Sequence, residues 1–289
     1  MPSIDLAPIR PLTARLRLPL LVGLAALVLA SCAVQDLYAQ RGHAPRGHSQ
    51  RLYARAGETR VHPRVAGAQA RPIQGIDVSK YQGQIDWTSV RSAGTRFAFI
   101  KATEGGSLVD ERFAENWQGA KQAGVSRGAY HFMFWCRPAD EQAAWFKLTV
   151  PNDPDALPPV LDLEWNAQSP SCPRRLSRGE ALAQIKVMLQ EMEAYTGKRP
   201  IIYTDITFHK DVLDGELPGY PHWVRSTTAE PQERYANRPW LMWQYTAAGR
   251  VAGIQTEVDL NTFYGGSAEW AKFIASSCDP RLAAQGACG

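Results

Sequence analysis

The sequence predicts an α/β fold, a modified TIM-like barrel of the form (β/α)5(β)3 with eight mainly parallel strands. From residue 73 onward, eight strand-like runs recur, and each of the first five precedes a helix-compatible stretch. This alternation predicts a parallel sheet, and eight strands suggest closure into a barrel. The runs are residues 73–79, 96–104, 126–134, 158–165, 199–205, 222–226, 239–246 and 256–263.

The clearest predicted helix follows the fourth run. Ser177 and Glu180 have the spacing of a capping box, and Gly197 stands where the helix is expected to end. Apolar residues mark one face between these signals, namely Leu182, Ile185, Leu189 and Met192. The later gaps, 227–238 and 247–255, contain proline and glycine and look too short or broken for packed helices. We therefore expect the last third of the barrel to lack most of its helices.

Residues 1–32 are interpreted as an export signal. Three arginines precede the apolar run Leu18–Ala30, which is short for a transmembrane helix but suits a signal peptide. The run ends in Leu-Ala-Ser-Cys, which resembles a bacterial lipobox with Cys32 as the lipidated residue. The alternative is a plain signal peptide that is cleaved nearby, after Ala33 or Ala39.

Residues 33–72 are expected to form a basic, disordered linker before a domain at 73–289. The linker contains seven arginines and only two acidic residues, with no sustained hydrophobic period. The chain's net charge of +4 therefore belongs to its first 72 residues, and the domain is net acidic. A basic tether favours anionic lipid or an anionic wall polymer, although it also suits a solvated spacer. Export and the acidic domain argue against nucleic-acid binding.

The five cysteines suit an exported protein. If Cys32 carries lipid, four remain, an even number for an oxidising compartment. Cys136 and Cys172 follow the third and fourth strands, so both lie on neighbouring loops at one end of the barrel. We therefore expect the disulfides Cys136–Cys172 and Cys278–Cys288, the second closing the C-terminal tail. No metal site is expected, because there is no C-x-x-C spacing and the histidines are scattered.

The segment Pro158–Trp165 carries the most informative acidic pair. Asp162 and Glu164 are two residues apart, so their side chains leave the same face of the strand, while Leu163 faces the helices. Two close carboxyl groups raise each other's proton affinity, which makes Glu164 a candidate proton donor. The alternative is a structural pair. Other acids late in predicted strands are Asp77, Glu104, Asp205 and Asp259, and barrel active sites gather at these strand ends.

Seven segments in order resemble glycoside hydrolase family 25, the Chalaropsis-type N-acetylmuramidases. They are GIDVSKYQGQIDW (75–87), FIKATEG (99–105), GAYHF (128–132), PVLDLEW (159–165), PIIYT (200–204), WQYT (243–246) and VDLN (258–261). The resemblance implies a peptidoglycan hydrolase that cuts the β-1,4 bond between N-acetylmuramic acid and N-acetylglucosamine. No cofactor is implied, and the expected partner is a peptidoglycan glycan strand, bound by a monomer.

The resemblance also implies residue roles. Glu164 is the proton donor, and Asp162 is either the nucleophile or the group that orients the substrate's acetamido arm. Asp77 and Asp259 hold the substrate and stabilise positive charge on the sugar. The residues expected to line the groove are Tyr130, Tyr203, Trp243, Gln244 and Tyr245. The carboxyl spacing that the strand allows fits both retaining and inverting hydrolysis.

One departure and two alternatives accompany this interpretation. Arg225 stands near the cleft where the family has a small residue, and it could serve an anionic substrate group. A chitinase-like glycosidase would need an acid at Val160, and a non-catalytic wall-binding lipoprotein would not need all four acids. We expect an exported protein on the periplasmic face of a bacterial membrane, or a secreted one if the lipobox is not used.

Overall fold

The computed structural model describes residues 61–166, 169–235 and 238–276, which all belong to the unit His48–Gly289. Each of the eight predicted strands is present, and a two-residue strand is added after the second. The strands are β1 (Gln74–Val78), β2 (Phe97–Glu104), β3 (Leu108–Val109), β4 (Ser126–Phe132), β5 (Val160–Leu163), β6 (Ile201–Thr204), β7 (His222–Arg225), β8 (Met242–Gly249) and β9 (Val258–Phe263).

Eight of these strands close into a barrel. The order runs β1, β2, β4, β5, β6, β7, β8 and β9, and β9 pairs back with β1, while β3 only extends β2. Pairing is parallel from β1 to β8, but β9 is antiparallel to both of its neighbours. The connection from β8 to β9 has no helix, and so short a link permits only an antiparallel pair. The predicted barrel of mainly parallel strands is confirmed.

A helix follows each of the first five barrel strands, and within the described residues a four-residue helix after β7 and one helix after β9 come later. The helices are α1 (Trp87–Ser92), α2 (Phe113–Gln122), α3 (Ala139–Thr149), α4 (Arg178–Thr196), α5 (Ile206–Phe208), α6 (Pro231–Arg234) and α7 (Ser267–Ser276). The capping box predicted for α4 is formed by Ser177 and Glu180, and the helix ends at Gly197 with φ of 69°, which favours glycine. α5 is shorter than expected and continues as a π-helical turn, His209–Leu213. No helix joins β8 to β9, as predicted.

The barrel interior below the strand ends is filled by aromatic rings. Trp223 stacks on Phe99 with ring centroids 4.8 Å apart and meets Tyr203 edge-on at 4.6 Å. The strands make room for these rings with glycine, since a Cβ on Gly128 would lie 2.5 Å from the Phe99 ring. This packed layer forms the floor beneath the carboxyl ends of the parallel strands.

Residues 63–70, which the sequence analysis assigned to the disordered linker, form a 3-10 helix instead. Val65 and Ala68 are fully buried and pack against Trp243 and Tyr245 on the outer face of β8. The segment takes the place of a barrel helix that is missing on this side. Within the described ranges, no helix is both long and apolar enough to cross a membrane.

Candidate active site

A cleft of about 430 Å³ opens at the carboxyl ends of the parallel strands, where barrel active sites lie. Six acidic residues, one of them Glu257 at the entrance to β9, and several aromatic rings line it. The principal lining residues are Asp77, Lys101, Glu104, Asp162, Glu164, Asp259, Tyr81, Tyr130, Phe132, Tyr203, Trp223 and Gln244. The structure thus brings together the four acids that the sequence analysis singled out.

Asp77 is held by two side-chain amides. Its Oδ2 accepts hydrogen bonds from Gln244 Nε2 at 3.0 Å and from Asn261 Nδ2 at 2.7 Å. Each amide is oriented in turn, because Tyr203 donates to Gln244 Oε1 at 2.9 Å and Trp223 donates to Asn261 Oδ1 at 2.8 Å. This carboxyl group is therefore fixed before any ligand arrives.

Asp259 lies directly opposite Asp77 in the antiparallel pair of β1 and β9. Burial raises the pKa of Asp77 to about 6, against the lowering effect of its amide donors and of Arg225. Burial raises the pKa of Asp259 further above its ordinary value, and the neighbouring charge of Asp77 adds to this shift. Two carboxyl groups at one point cannot both ionise easily, so Asp259 keeps the proton of the pair.

Asp162 and Glu164 share the inner face of β5 and its extension, as predicted. Asp162 is buried, and its Oδ1 has no hydrogen-bond partner in the described part of the chain. Burial, followed by the charge of Glu164, raises the pKa of Asp162 well above its ordinary value. Leu163 packs on the outer side with the helices. Two carboxyl groups on one face of a strand hold one proton between them more easily than they ionise together, and that proton is available to a bound ligand.

Lys101 and Glu104 form an ion pair in the cleft wall that the sequence analysis did not predict. Lys101 Nζ lies 2.5 Å from Glu104 Oε2 and 5.0 Å from the centre of the Phe132 ring. Strict alternation along β2 would turn Glu104 outward, but the pairing with β4 shifts register between Lys101 and Thr103. This β-bulge returns Glu104 to the inner face.

The predicted groove residues divide into two groups. Tyr130, Tyr203 and Gln244 line the cleft. Trp243 and Tyr245 do not, because they alternate with Gln244 and point to the outer face of β8, where both are buried. Their predicted place in the groove was therefore wrong.

Arg225 ends β7 in register with Gln244 and is not part of the cleft lining. Its positive charge lowers the pKa of Asp77 and of Asp259 against the larger effect of burial. Arg225 thus acts on the acidic pair from beside the cleft.

The rim of the cleft carries the disulfide Cys136–Cys172, which joins the loops after β4 and β5 as predicted. The other predicted pair, Cys278–Cys288, and the lipidation site Cys32 lie outside the described residues. Within residues 61–166, 169–235 and 238–276, no group of three or more His, Cys, Asp or Glu side chains is arranged to hold a metal ion.

Comparison with known proteins supports the chemistry of this cleft. Residues 76–254 match the family described as Glycosyl hydrolases family 25. The chain is 39% identical to YegX of Escherichia coli K12 over 213 residues, which are 70% of this chain and 73% of YegX. It is 37% identical over 215 residues to Lysozyme M1 of Streptomyces globisporus, with 71% and 72% of the two chains covered.

Among solved structures, the fold is similar to a family 25 glycosyl hydrolase from Bacillus anthracis. The TM-score is 0.66 at 32% identity, and the match covers 76% of this chain and 98% of the other.

Proposed function

The chain belongs to glycosyl hydrolase family 25, and from that premise we propose that it is a peptidoglycan hydrolase. The enzyme is an N-acetylmuramidase that cleaves the β-1,4 bond between N-acetylmuramic acid and N-acetylglucosamine. The observation that carries this proposal is the gathering of Asp77, Asp162, Glu164 and Asp259 in one cleft at the strand ends.

Glu164 serves as the proton donor to the oxygen of the leaving sugar. It lies on the same face as Asp162 and is half-buried at the cleft, where a ligand can reach it. Proton donation to the glycosidic oxygen lowers the barrier to bond cleavage, because the leaving group then departs as a neutral alcohol.

Asp162 has one of two roles, and both require its ionised carboxylate at the cleft. It either attacks the sugar or accepts a hydrogen bond from the substrate's acetamido N–H while the acetamido oxygen attacks. A sugar adduct on Asp162, detected by mass spectrometry of quenched reactions, would assign the first role. Inhibition by a thiazoline sugar that mimics the cyclic intermediate would assign the second.

Asp77 provides negative charge near the sugar ring, and Asp259 holds the proton that this pair of carboxyl groups retains. An oxocarbenium-like transition state gains from a fixed anion, and Asp77 is held in place by its two amide donors. Tyr130 adds an aromatic wall against which an apolar sugar face can pack. Since every one of these side chains belongs to one chain, a monomer is sufficient for catalysis.

The test is incubation of the full-length protein with purified peptidoglycan. We expect new reducing ends, fragments that terminate in N-acetylmuramic acid by mass spectrometry, and a loss of at least about a hundredfold in Glu164→Gln. Fragments that terminate in N-acetylglucosamine would contradict the bond assignment. Binding without any product would favour a wall-binding protein instead.

We also propose that the protein is exported and anchored through a lipid on Cys32. The support is the arginine-flanked apolar run Leu18–Ala30, the lipobox-like residues that follow it, and the Cys136–Cys172 disulfide, which suits an oxidising compartment. In bacteria that express the chain, the wild type should partition with membranes and Cys32→Ala should not. Equal partitioning of the two would contradict the anchor.

A further inference from the structure

Glu164 follows immediately after the last residue of β5. Leu163 still pairs with Thr204 on β6, but the sheet ladder ends there, so strand pairing does not fix the main chain of Glu164. A group that donates a proton must keep its position to within about half an ångström. Loop residues at a strand end do not meet this requirement without additional restraint.

The side chain of Asn166 continues the pairing beyond the strand. Trp135 N donates to Asn166 Oδ1 at 3.2 Å, and Asn166 Nδ2 donates to the carbonyl oxygen of Met133 at 3.1 Å. Met133 N in turn donates to the carbonyl oxygen of Asp162 at 3.1 Å. Asn166 is only 5% exposed, so water does not compete strongly for these bonds. The loops after β4 and β5 are thereby joined on both sides of Glu164.

Trp135 makes the direct contact with Glu164. Its indole Nε1 donates to the carbonyl oxygen of Glu164 at 2.6 Å. The ring is fully buried and stacks on Phe208, with centroids 5.0 Å apart and planes 18° from parallel, and it also contacts Trp165. The indole is itself immobilised, so its hydrogen bond fixes the peptide group between Glu164 and Trp165. The main chain from which the Glu164 side chain projects is fixed with it.

We propose that Trp135 and Asn166 are positioning residues for Glu164, which hold its main chain where the barrel ladder no longer does so. This inference rests on the proposed function, in which Glu164 donates the proton. The Cys136–Cys172 disulfide lies next to Trp135 and holds the same two loops together at the rim.

The experiment compares two substitutions of the same kind in the full-length enzyme. Trp135→Phe removes the indole N–H but keeps an aromatic ring in the stack with Phe208. Trp87→Phe is the matched control, because Trp87 is also buried and donates its indole N–H to Asn116 at 3.3 Å, on helices outside the cleft. The rate of reducing-end release from peptidoglycan is measured over a range of substrate concentrations, together with the thermal unfolding midpoint.

We expect Trp135→Phe to lower kcat by about ten- to hundredfold with KM within twofold, since a misplaced donor affects the chemical step and not binding. Trp87→Phe should keep kcat within twofold at a similar fall in unfolding midpoint. Equal kcat in the two variants would overturn the inference. A wild type that releases no reducing ends would instead overturn the proposed function.

Two further measurements cover the case in which Trp135→Phe does not fold. Asn166→Ala removes the amide bridge and leaves the indole in place, and it should lower kcat with little change in KM. In the wild type, hydrogen exchange of the Trp135 indole and amide protons should be as slow as that of the Trp87 indole. Exchange at the rate of an exposed group would overturn the inference without any substitution.

Discussion

At the scale of single residues, the side chains that contact Asp77 set its position and its charge. Asp77 is anchored by Gln244 and Asn261, and each of these amides is oriented by an aromatic donor, Tyr203 or Trp223. The amide bonds lower the pKa of Asp77, although burial raises it to about 6 overall. The charge of Asp77 at neutral pH therefore depends on the amide side chains that contact it.

We predict that Asn261→Leu shifts the acidic limb of the pH–activity profile upward by about one pH unit. The substitution removes a hydrogen bond to a carboxylate, so the pKa of Asp77 rises and the ionised form appears only at higher pH. The measurement is kcat/KM for reducing-end release between pH 4 and 8.

Asn116→Leu is the control for that experiment. Asn116 is also buried and also accepts an indole bond, from Trp87, so its loss leaves an indole donor unpaired in the same way. Its profile should keep the wild-type acidic limb. If both variants shift equally, the effect comes from general destabilisation and not from Asp77.

The sequence placed six acids late in predicted strands, and the resemblance to family 25 selected Asp77, Asp162, Glu164 and Asp259 among them. Strand alternation also argues against a place for Trp243 and Tyr245 in the groove. Both flank Gln244 and must face outward if Gln244 faces inward. The rule fails at Glu104, since a bulge in β2 changes which face it occupies. The contact of Trp135 with Glu164 depends on the conformation of two loops, for which the sequence carries no periodic signal.

At the scale of elements, β8 has one catalytic and one structural face. Gln244 faces the cleft, and Trp243 is buried on the other side, where its indole donates to the carbonyl oxygen of Ser226 at 2.7 Å. Val65 and Ala68 of the 3-10 helix cover this outer face. The sequence analysis missed the cover because residues 63–70 are short and show no sustained period, so only tertiary packing orders them.

We predict that Trp243→Ala lowers the free energy of unfolding by about 3–5 kcal/mol, as expected for a large buried ring. The kcat of the folded enzyme should stay within about threefold, because the ring does not reach the cleft. Denaturant unfolding and steady-state kinetics measure the two effects. A large rise in KM with little loss of stability would contradict this prediction and would indicate that Trp243 binds substrate.

At the scale of the whole molecule, two sets of buried groups respond to acid in opposite directions. Burial lowers the pKa of His131, His209 and His222 to about 4, with Arg238 adding to the effect on the last two. Burial raises the pKa of Asp77, Asp162 and Asp259 instead. The histidines favour the folded state at higher pH, and the aspartates favour it at lower pH.

We predict that the three histidines stay neutral in the folded protein down to about pH 4, which their imidazole NMR shifts would report. Unfolded histidine takes up its proton near pH 6.5, so this set removes stability as the pH falls from about 6.5 to 4. Asp77 has a raised pKa and therefore adds stability as the pH falls, opposite to the histidines. Asp77→Asn removes this contribution, so the variant should lose more stability over that interval than the wild type. A histidine midpoint near 6.5, or an equal loss in both proteins, would contradict the prediction.

The cover on β8 affects how the catalytic domain can be isolated. The family match begins at residue 76, and a fragment cut there would retain the four acids Asp77, Asp162, Glu164 and Asp259. It would lose Val65 and Ala68, and the rings of Trp243 and Tyr245 would then be exposed to solvent as an apolar patch that promotes aggregation. A shortened enzyme for expression should therefore start no later than Val61, which lies fifteen residues before the start of the family match.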